Sequence, residues 1–437
     1  MSVMQKLREK GFFDLVYYIF GDLFVKGMMF ITLPLLSLFL SPAEYGTLSI
    51  LSTMLTFFAV IFSINIENSI NNYYMQKHND FGSYLFSNIT FALLVQIFTI
   101  LIYIFFIQRI SEFFKVTEYD SLLVAIICMV IFYYNVYTLY LQGSKQSKLY
   151  TKINISNKTI EIALLIGFSY FLISEKYLSK MYAQIIALAI FTPYIIIKIK
   201  NLCVFTFKFS HVKHSLLFSI PLIPHVLSNT ILSQSDRVMI NSILGETETG
   251  LYSFAYNLGL SITVVIAAWN SMWQPRFYEY YQEKNNELIK NSINFYGKII
   301  TLIAILAIIF TAPIIKLFIS VEYHPSLKII PIILASNFLF LQYYIYVNYS
   351  FYHRKTFIIS LSTAFAAILN ILLNYYLIPI FHASGAAYAT LVSYMALSII
   401  HFINAKVISK NNCISLWDAF KWTIPIFISA SISIWLS

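Results

Sequence analysis

Apolar runs of about 20 residues recur from one end of the chain to the other, each long enough to cross roughly 30 Å of hydrocarbon as a helix. They fall near residues 12 to 40, 47 to 69, 84 to 107, 121 to 142, 155 to 173, 181 to 197, 215 to 244, 250 to 274, 294 to 318, 327 to 350, 357 to 380 and 386 to 405. Polar or charged breaks separate them. The pattern predicts an all-α polytopic membrane protein with twelve transmembrane helices. A last run, Lys421 to Leu436, is just long enough for a thirteenth, or for an interfacial segment behind Trp417 and Trp422. No stretch remains for a soluble globular domain.

Composition agrees: 59% of the 437 residues are hydrophobic and 11% charged, against about 25% charged in an average soluble domain. The N-terminal MSVMQKLREKGFF puts basic residues before the first apolar run, and no small-residue cleavage site follows. That makes a first helix, not a removable signal. The net charge of +10 is spread over short loops rather than gathered on one patch, so a nucleic-acid partner is not expected. With the N-terminus cytoplasmic, the inner side takes Lys6, Arg8 and Lys10, Lys77, Lys145 to Lys158, Lys198 to Lys213, Arg276 to Lys298, Arg354 and Lys355, Lys406 and Lys410. The outer side holds Arg109, Lys115, Lys176, Lys180, Lys316 and Lys328, a bias above roughly three to one that sets the orientation. The outer loops SPAEYG, GETETG and FHASG leave no room for an extracytoplasmic catalytic domain. Cys128, Cys203 and Cys413 show no metal or disulfide spacing and are read as incidental.

An internal repeat is visible. Leu40-Ser-Pro-Ala-Glu44-Tyr-Gly46-Thr-Leu-Ser49 matches Leu244-Gly-Glu-Thr-Glu248-Thr-Gly250-Leu-Tyr-Ser253 at Leu, Glu, Gly and Ser. The copies stand six helices apart, so the halves share an orientation and relate by an axis along the membrane normal, with a cavity between them. The expected division is a six-helix lobe at 1–205, a second at 206–410, and a C-terminal amphipathic segment with the thirteenth candidate helix at 411–437.

Ionisable residues inside apolar runs are costly and mark function. Asp22 and Lys26 share a face of the first helix, as a self-neutralising pair or as site residues. Glu67 and Glu161 are placed near the inner headgroups. In the seventh helix Asp236 and Arg237 are neighbours, about 100° apart around the axis, so Arg237 is expected to seek an anion elsewhere or to snorkel outward. His225 lies about three turns earlier. Pro221 and Pro224 free backbone carbonyls and predict a hinge or cavity lining that includes Asn229. Asn370 and Asn374 share a face, suiting an interhelical hydrogen bond or a polar lumen. The chain has no phosphate loop, dinucleotide fingerprint, HExxH or GxSxG motif. No cofactor, metal or enzymatic activity is expected, and transport against a gradient must draw on ions or on consumption of the cargo.

Four stretches carry a resemblance: LPLLSLFLSPAEYGTLSI at 33–50, IPLIPHVLSNTILSQSDRVMINSILGETETGLYSFAYNLG at 220–259, WQPRFYEYY at 273–281 and NILLNYYLIPIFHASGAAYAT at 370–390. Over almost its whole length the chain resembles polysaccharide flippases of the multidrug/oligosaccharidyl-lipid/polysaccharide exporter superfamily. The resemblance implies two six-helix lobes, alternating access, a bacterial inner-membrane location and an undecaprenyl-diphosphate-linked O-antigen or capsule repeat unit as cargo. It also implies a coupling ion, proton or sodium, and a polymerase and chain-length regulator as downstream partners. A cavity with Lys26, Arg237, Asn229, Asn257, Asn270 and tyrosines suits that cargo, with cations for the diphosphate and amides and rings for the sugars. Two rivals stay open: an ion-coupled multidrug or cation exporter using Asp22, Glu67 and Asp236, and a membrane glycan polymerase, which the short outer loops disfavour.

Overall fold

The structure is a computed structural model that describes residues 30–409 and 414–436 together with Phe24, Gly27 and Met28. Asp22, Lys26 and Cys413 lie outside the described residues. Every regular element among the described residues is helical. In chain order they are α1 (Phe30–Phe39), α2 (Pro42–Ser63), α3 (Ile66–Met75), α4 (Phe81–Phe105), α5 (Ile107–Phe114), α6 (Glu118–Gly143), α7 (Ser147–Phe171), α8 (Leu178–Leu202) and α9 (Phe209–Ser219). They continue as α10 (Ile223–Leu244), α11 (Glu246–Gly259), α12 (Ser261–Gln282), α13 (Asn286–Phe318), α14 (Ile330–Phe338), α15 (Phe340–Tyr352), α16 (Thr356–Phe381), α17 (Ala383–Ile408), α18 (Leu416–Phe420) and α19 (Thr423–Leu436).

Among the described residues eleven stretches are long and apolar enough to cross a membrane, and Leu416–Leu436 is one of them. The helix α7 is not, because Asn154, Asn157, Lys158 and Glu161 interrupt its apolar residues; it also starts at Ser147 instead of near 155. Hydropathy marks where apolar residues begin, whereas the helix begins where its backbone does. Local chemistry explains other boundaries. Ser41 and Glu44 form a reciprocal cap on α2, and Thr117 and Asp120 do so on α6. The expected break near Pro221 is real: a 3-10 turn at Ile220–Leu222 interrupts the path from α9 to α10. The helices α3, α6, α12 and α15 each end in a basic residue with left-handed backbone: Lys77, Lys145, Lys284 and Arg354, at φ of 59°, 57°, 56° and 56°. Their amides bond carbonyls three residues back, and the helix dipole favours a cation there. All four belong to loops that the charge bias assigns to the inner side.

Backbone contacts divide the chain into two compact units: Met1–Leu40 with Ile50–Leu227, and Ser41–Ser49 with Ser228–Ser437. The division falls later than 205/206 because α9 is tied into the first unit. Lys208 N donates to Ser87 Oγ (2.9 Å) and Ser219 Oγ to the Asn65 carbonyl (3.1 Å). The first unit packs Ile66 and Ile70 of α3, Phe132, Val136 and Leu141 of α6, and Ile195 and Ile199 of α8 into one core. Above α9, Tyr73 and Tyr84 stack with ring centres 3.6 Å apart. The Tyr73 hydroxyl donates to Asp80 (2.6 Å), and His211 Nε2 meets the other Asp80 oxygen (2.9 Å).

In the second unit, Leu232, Leu339, Ala366, Ala367, Tyr394 and Leu397 form a core between α10, α16 and α17. Here the two copies of the repeat meet each other. A Cβ at Gly46 falls 2.0 Å from the Glu246 carbonyl oxygen, and one at Gly250 falls 1.8 Å from that of Pro42. Ser49 Oγ donates to Ser253 Oγ (2.7 Å). Each position thus faces its own counterpart, and only glycine lets the two backbones approach this closely.

Two outcomes follow from these contacts. Gly46→Ala or Gly250→Ala is expected to cost on the order of 1–3 kcal/mol, seen as a lower melting temperature of the detergent-solubilised protein. Gly167→Ala, where a Cβ meets nothing within 4 Å, is expected to be neutral or stabilising, and equal behaviour of all three variants would refute the contact. Separately, the hydrogen bond from Tyr73 and that from His211 hold the Asp80 carboxyl below its ordinary range. Its contribution is therefore complete above the ordinary carboxylate pKa and is lost as pH falls through the depressed value. Melting temperature measured against pH in the acid range should fall less steeply for Asp80→Asn than for the parent.

Candidate functional site

The second unit holds a buried charged cluster on α10, the helix that follows the proline break. Asp236 and Arg237 are 1% and 4% exposed, which rules out snorkelling to the surface. The expectation that neighbouring residues on a helix could not meet is also corrected. Arg237 Nη1 lies 3.7 Å from Asp236 Oδ1, because the flexible guanidinium stem curls back along the helix and donates to the Ser233 carbonyl one turn earlier (2.7 Å). Asp236 Oδ1 also accepts from the Arg237 amide (3.0 Å), and Tyr252 of α11 donates to Asp236 Oδ2.

Aromatic rings complete the cluster. The guanidinium sits over the Tyr256 ring, 4.4 Å from its centre, an attraction of about 2 kcal/mol or more when desolvated. The Tyr256 hydroxyl reaches that of Tyr394 on α17 (3.2 Å). One residue before Asp236, Ser235 Oγ donates to Asn370 Oδ1 (3.3 Å), which also accepts from Asn374 Nδ2 (3.0 Å). Both asparagines are fully buried, and Asn370 Nδ2 and Asn374 Oδ1 have no partner among the described residues. The result is a charge-neutral pair inside an aromatic cage, with an unfilled amide donor and acceptor beside it.

The other expected site residues lie elsewhere. Asn257 donates to the Tyr45 hydroxyl (2.8 Å), and Asn270 accepts from Asn348 (3.1 Å). Asn229 is exposed on α10. Pro221, Pro224 and His225 belong to the first unit; both prolines are exposed and His225 is half-buried. Glu67 accepts from Ser63 Oγ (3.3 Å), and its second oxygen is buried without a partner. Tyrosines were expected in the site, but not Tyr252, Tyr256 and Tyr394 in particular. The four-residue spacing of Tyr252 and Tyr256 was the one signal available for them, and aromatic residues are too common in this chain for it to stand out.

The profile of the polysaccharide biosynthesis protein family matches residues 14–281. Protein 1 of the Lsg locus of Haemophilus influenzae is 26% identical over 373 residues, covering 83% of this chain and 90% of that protein. The solved structure of the lipid II flippase MurJ in an inward closed conformation superposes with a TM-score of 0.67 at 15% identity, covering 99% of this chain and 92% of that one. An inward-facing multidrug resistance transporter of the MATE family in the MOP superfamily gives a TM-score of 0.67 at 14% identity, covering 92% and 96%. The fold is therefore that of transporters of the MOP superfamily.

Removing one member of the buried pair strands the other. Arg237→Gln and Asp236→Asn are each expected to cost roughly 3–5 kcal/mol, read from thermal unfolding in detergent. The double variant should cost clearly less than the sum. Strict additivity would show that the two charges do not act on each other.

Proposed function

Because the chain belongs to the polysaccharide biosynthesis protein family, we propose that it is a flippase carrying undecaprenyl-diphosphate-linked oligosaccharide repeat units across the bacterial inner membrane. Alternating access moves the cargo from the cytoplasmic to the outer leaflet, with the N-terminus in the cytoplasm and a polymerase and chain-length regulator consuming the product outside. The observation that carries this reading is the charged, tyrosine-lined cluster on α10. A chain whose ion pairs only had to be tolerated in hydrocarbon has no need of them at that depth.

In this reading Lys26 contacts the diphosphate. Arg237, already held by Ser233, Asp236 and Tyr256, acts as a positioning residue that supplies charge to the path. Asn229, Asn257 and Asn270 offer amides to the sugars, and Pro221 and Pro224 supply the hinge. The reading also includes a coupling ion, proton or sodium. The isoprenoid tail needs no closed pocket; an open groove of about 630 Å³ lined by Val60, Phe91, Leu94, Phe98 and Ile223 suits it. The cation-exporter reading is weaker, because Asp236 is neutralised by Arg237 and does not offer a bare carboxylate.

The test is complementation of a strain lacking its own repeat-unit flippase. The parent chain should restore lipid-linked units at the outer face. Lys26→Gln should lose that activity while inserting in normal amount, and Arg237→Gln should lose it even where its inserted amount is restored by raised expression. Normal export by the double variant would overturn the cation assignment. Protection against toxic organic cations without restored glycan would replace the flippase reading with the exporter.

A further inference from the structure

The helix α7 carries a polar seam. Ser147, Thr151, Asn154, Lys158 and Glu161 follow one another at spacings of four, three, four and three, which keeps them on one face. The seam ends in a charge cluster that the loop assignments do not anticipate. Lys158, counted with an inner loop, and Lys180, counted with an outer one, both bind the carboxylate of Glu161. Lys158 Nζ lies 3.1 and 3.2 Å from its two oxygens, and Lys180 of α8 bonds Oε1 as well. Two residues on one carboxylate share one depth. Glu161 stands 14 residues, about 21 Å, from the start of α7 and ten residues, about 15 Å, from its end. The trio therefore gathers midway along α7, reached by Lys180 from the third position of α8.

Its charges do not cancel. Among the described residues Glu161 is the one carboxylate within ion-pair reach of either lysine, so two ammonium groups share a single negative charge. A surplus positive charge on two partly buried lysines is one that an anion would neutralise. Access is uneven in the direction that suits one: the lysine side chains keep 23% and 18% of their surface open, and Glu161 only 9%. An additional donor is at hand, since Asn157 Nδ2, one turn before Glu161 on the same face, is buried without a partner.

We infer that Lys158 and Lys180, clamped by Glu161, form a binding site for a phosphate-type anion in the first unit. A phosphate oxygen receives both ammonium groups, and Asn157 donates to a second oxygen. This goes beyond the proposed transport and does not depend on it. The phosphate belongs to a phospholipid headgroup, to a polyprenyl diphosphate or to a free ion, and all three present the same oxygens.

The purified full chain in phosphatidylcholine nanodiscs, titrated separately with phosphatidylglycerol, polyprenyl diphosphate and inorganic pyrophosphate, tests the site. Saturable binding in at least one arm is expected, and the arm that binds most tightly names the source. Lys158→Gln or Lys180→Gln should weaken it by about tenfold or more, while Lys158→Arg and Lys180→Arg retain it. Glu161→Gln should strengthen it by adding net positive charge, an effect no loss of folding can produce. Absence of binding in all three arms, binding indifferent to the lysine substitutions, or weakening by Glu161→Gln would overturn the site. Transport by the parent chain can succeed or fail independently of each result.

Discussion

Hydrocarbon offers no hydrogen bonds, so each polar group placed in it must be satisfied by the protein, by a cargo or by water the protein admits. That constraint orders most of what is distinctive here. Arg237 is met by a carbonyl of its own helix, by its neighbour and by a ring face, leaving a neutral cluster that rests at depth. Asn370 and Asn374 answer each other and Ser235. The trio on α7 and α8 is the exception, satisfied in hydrogen bonds but not in charge. The cluster on α10 is closed, and the trio is not.

Features that repeat along the chain were legible in the sequence. The apolar runs, the basic turns and the paired SPAEYG and GETETG segments follow from residue types at regular spacing, and the proline break before α10 follows from ring chemistry that no partner can undo. Asn370 and Asn374 shared a face on paper and share a hydrogen bond in the fold. Other breaks escaped notice. Between α2 and α3, Ile64 and Asn65 take left-handed backbone with neither glycine nor proline to announce it, and the step from α14 to α15 at Leu339 is equally silent.

The site was harder to read for a physical reason. Side-chain direction around a helix says which Cβ atoms are neighbours, yet arginine and lysine act at the ends of long stems. Arg237 reached the residue beside it, and Lys158 and Lys180 reached one carboxylate from two helices. Hydropathy also cannot fix how far one helix slides along the next: Ser179 meets Ser169, and from there the Lys180 stem reaches back to Glu161. Charge counting by loop places residues where the apolar run ends, and α7 begins well before its run does.

The contact of Gly46 with Gly250 has the form of an isologous interface, in which each residue meets its own copy. Here the partner is the same chain 204 positions further on, as the Ser49 and Ser253 hydroxyls record. Such self-complementarity makes the two segments one steric unit, so a bulky change in either is felt by both.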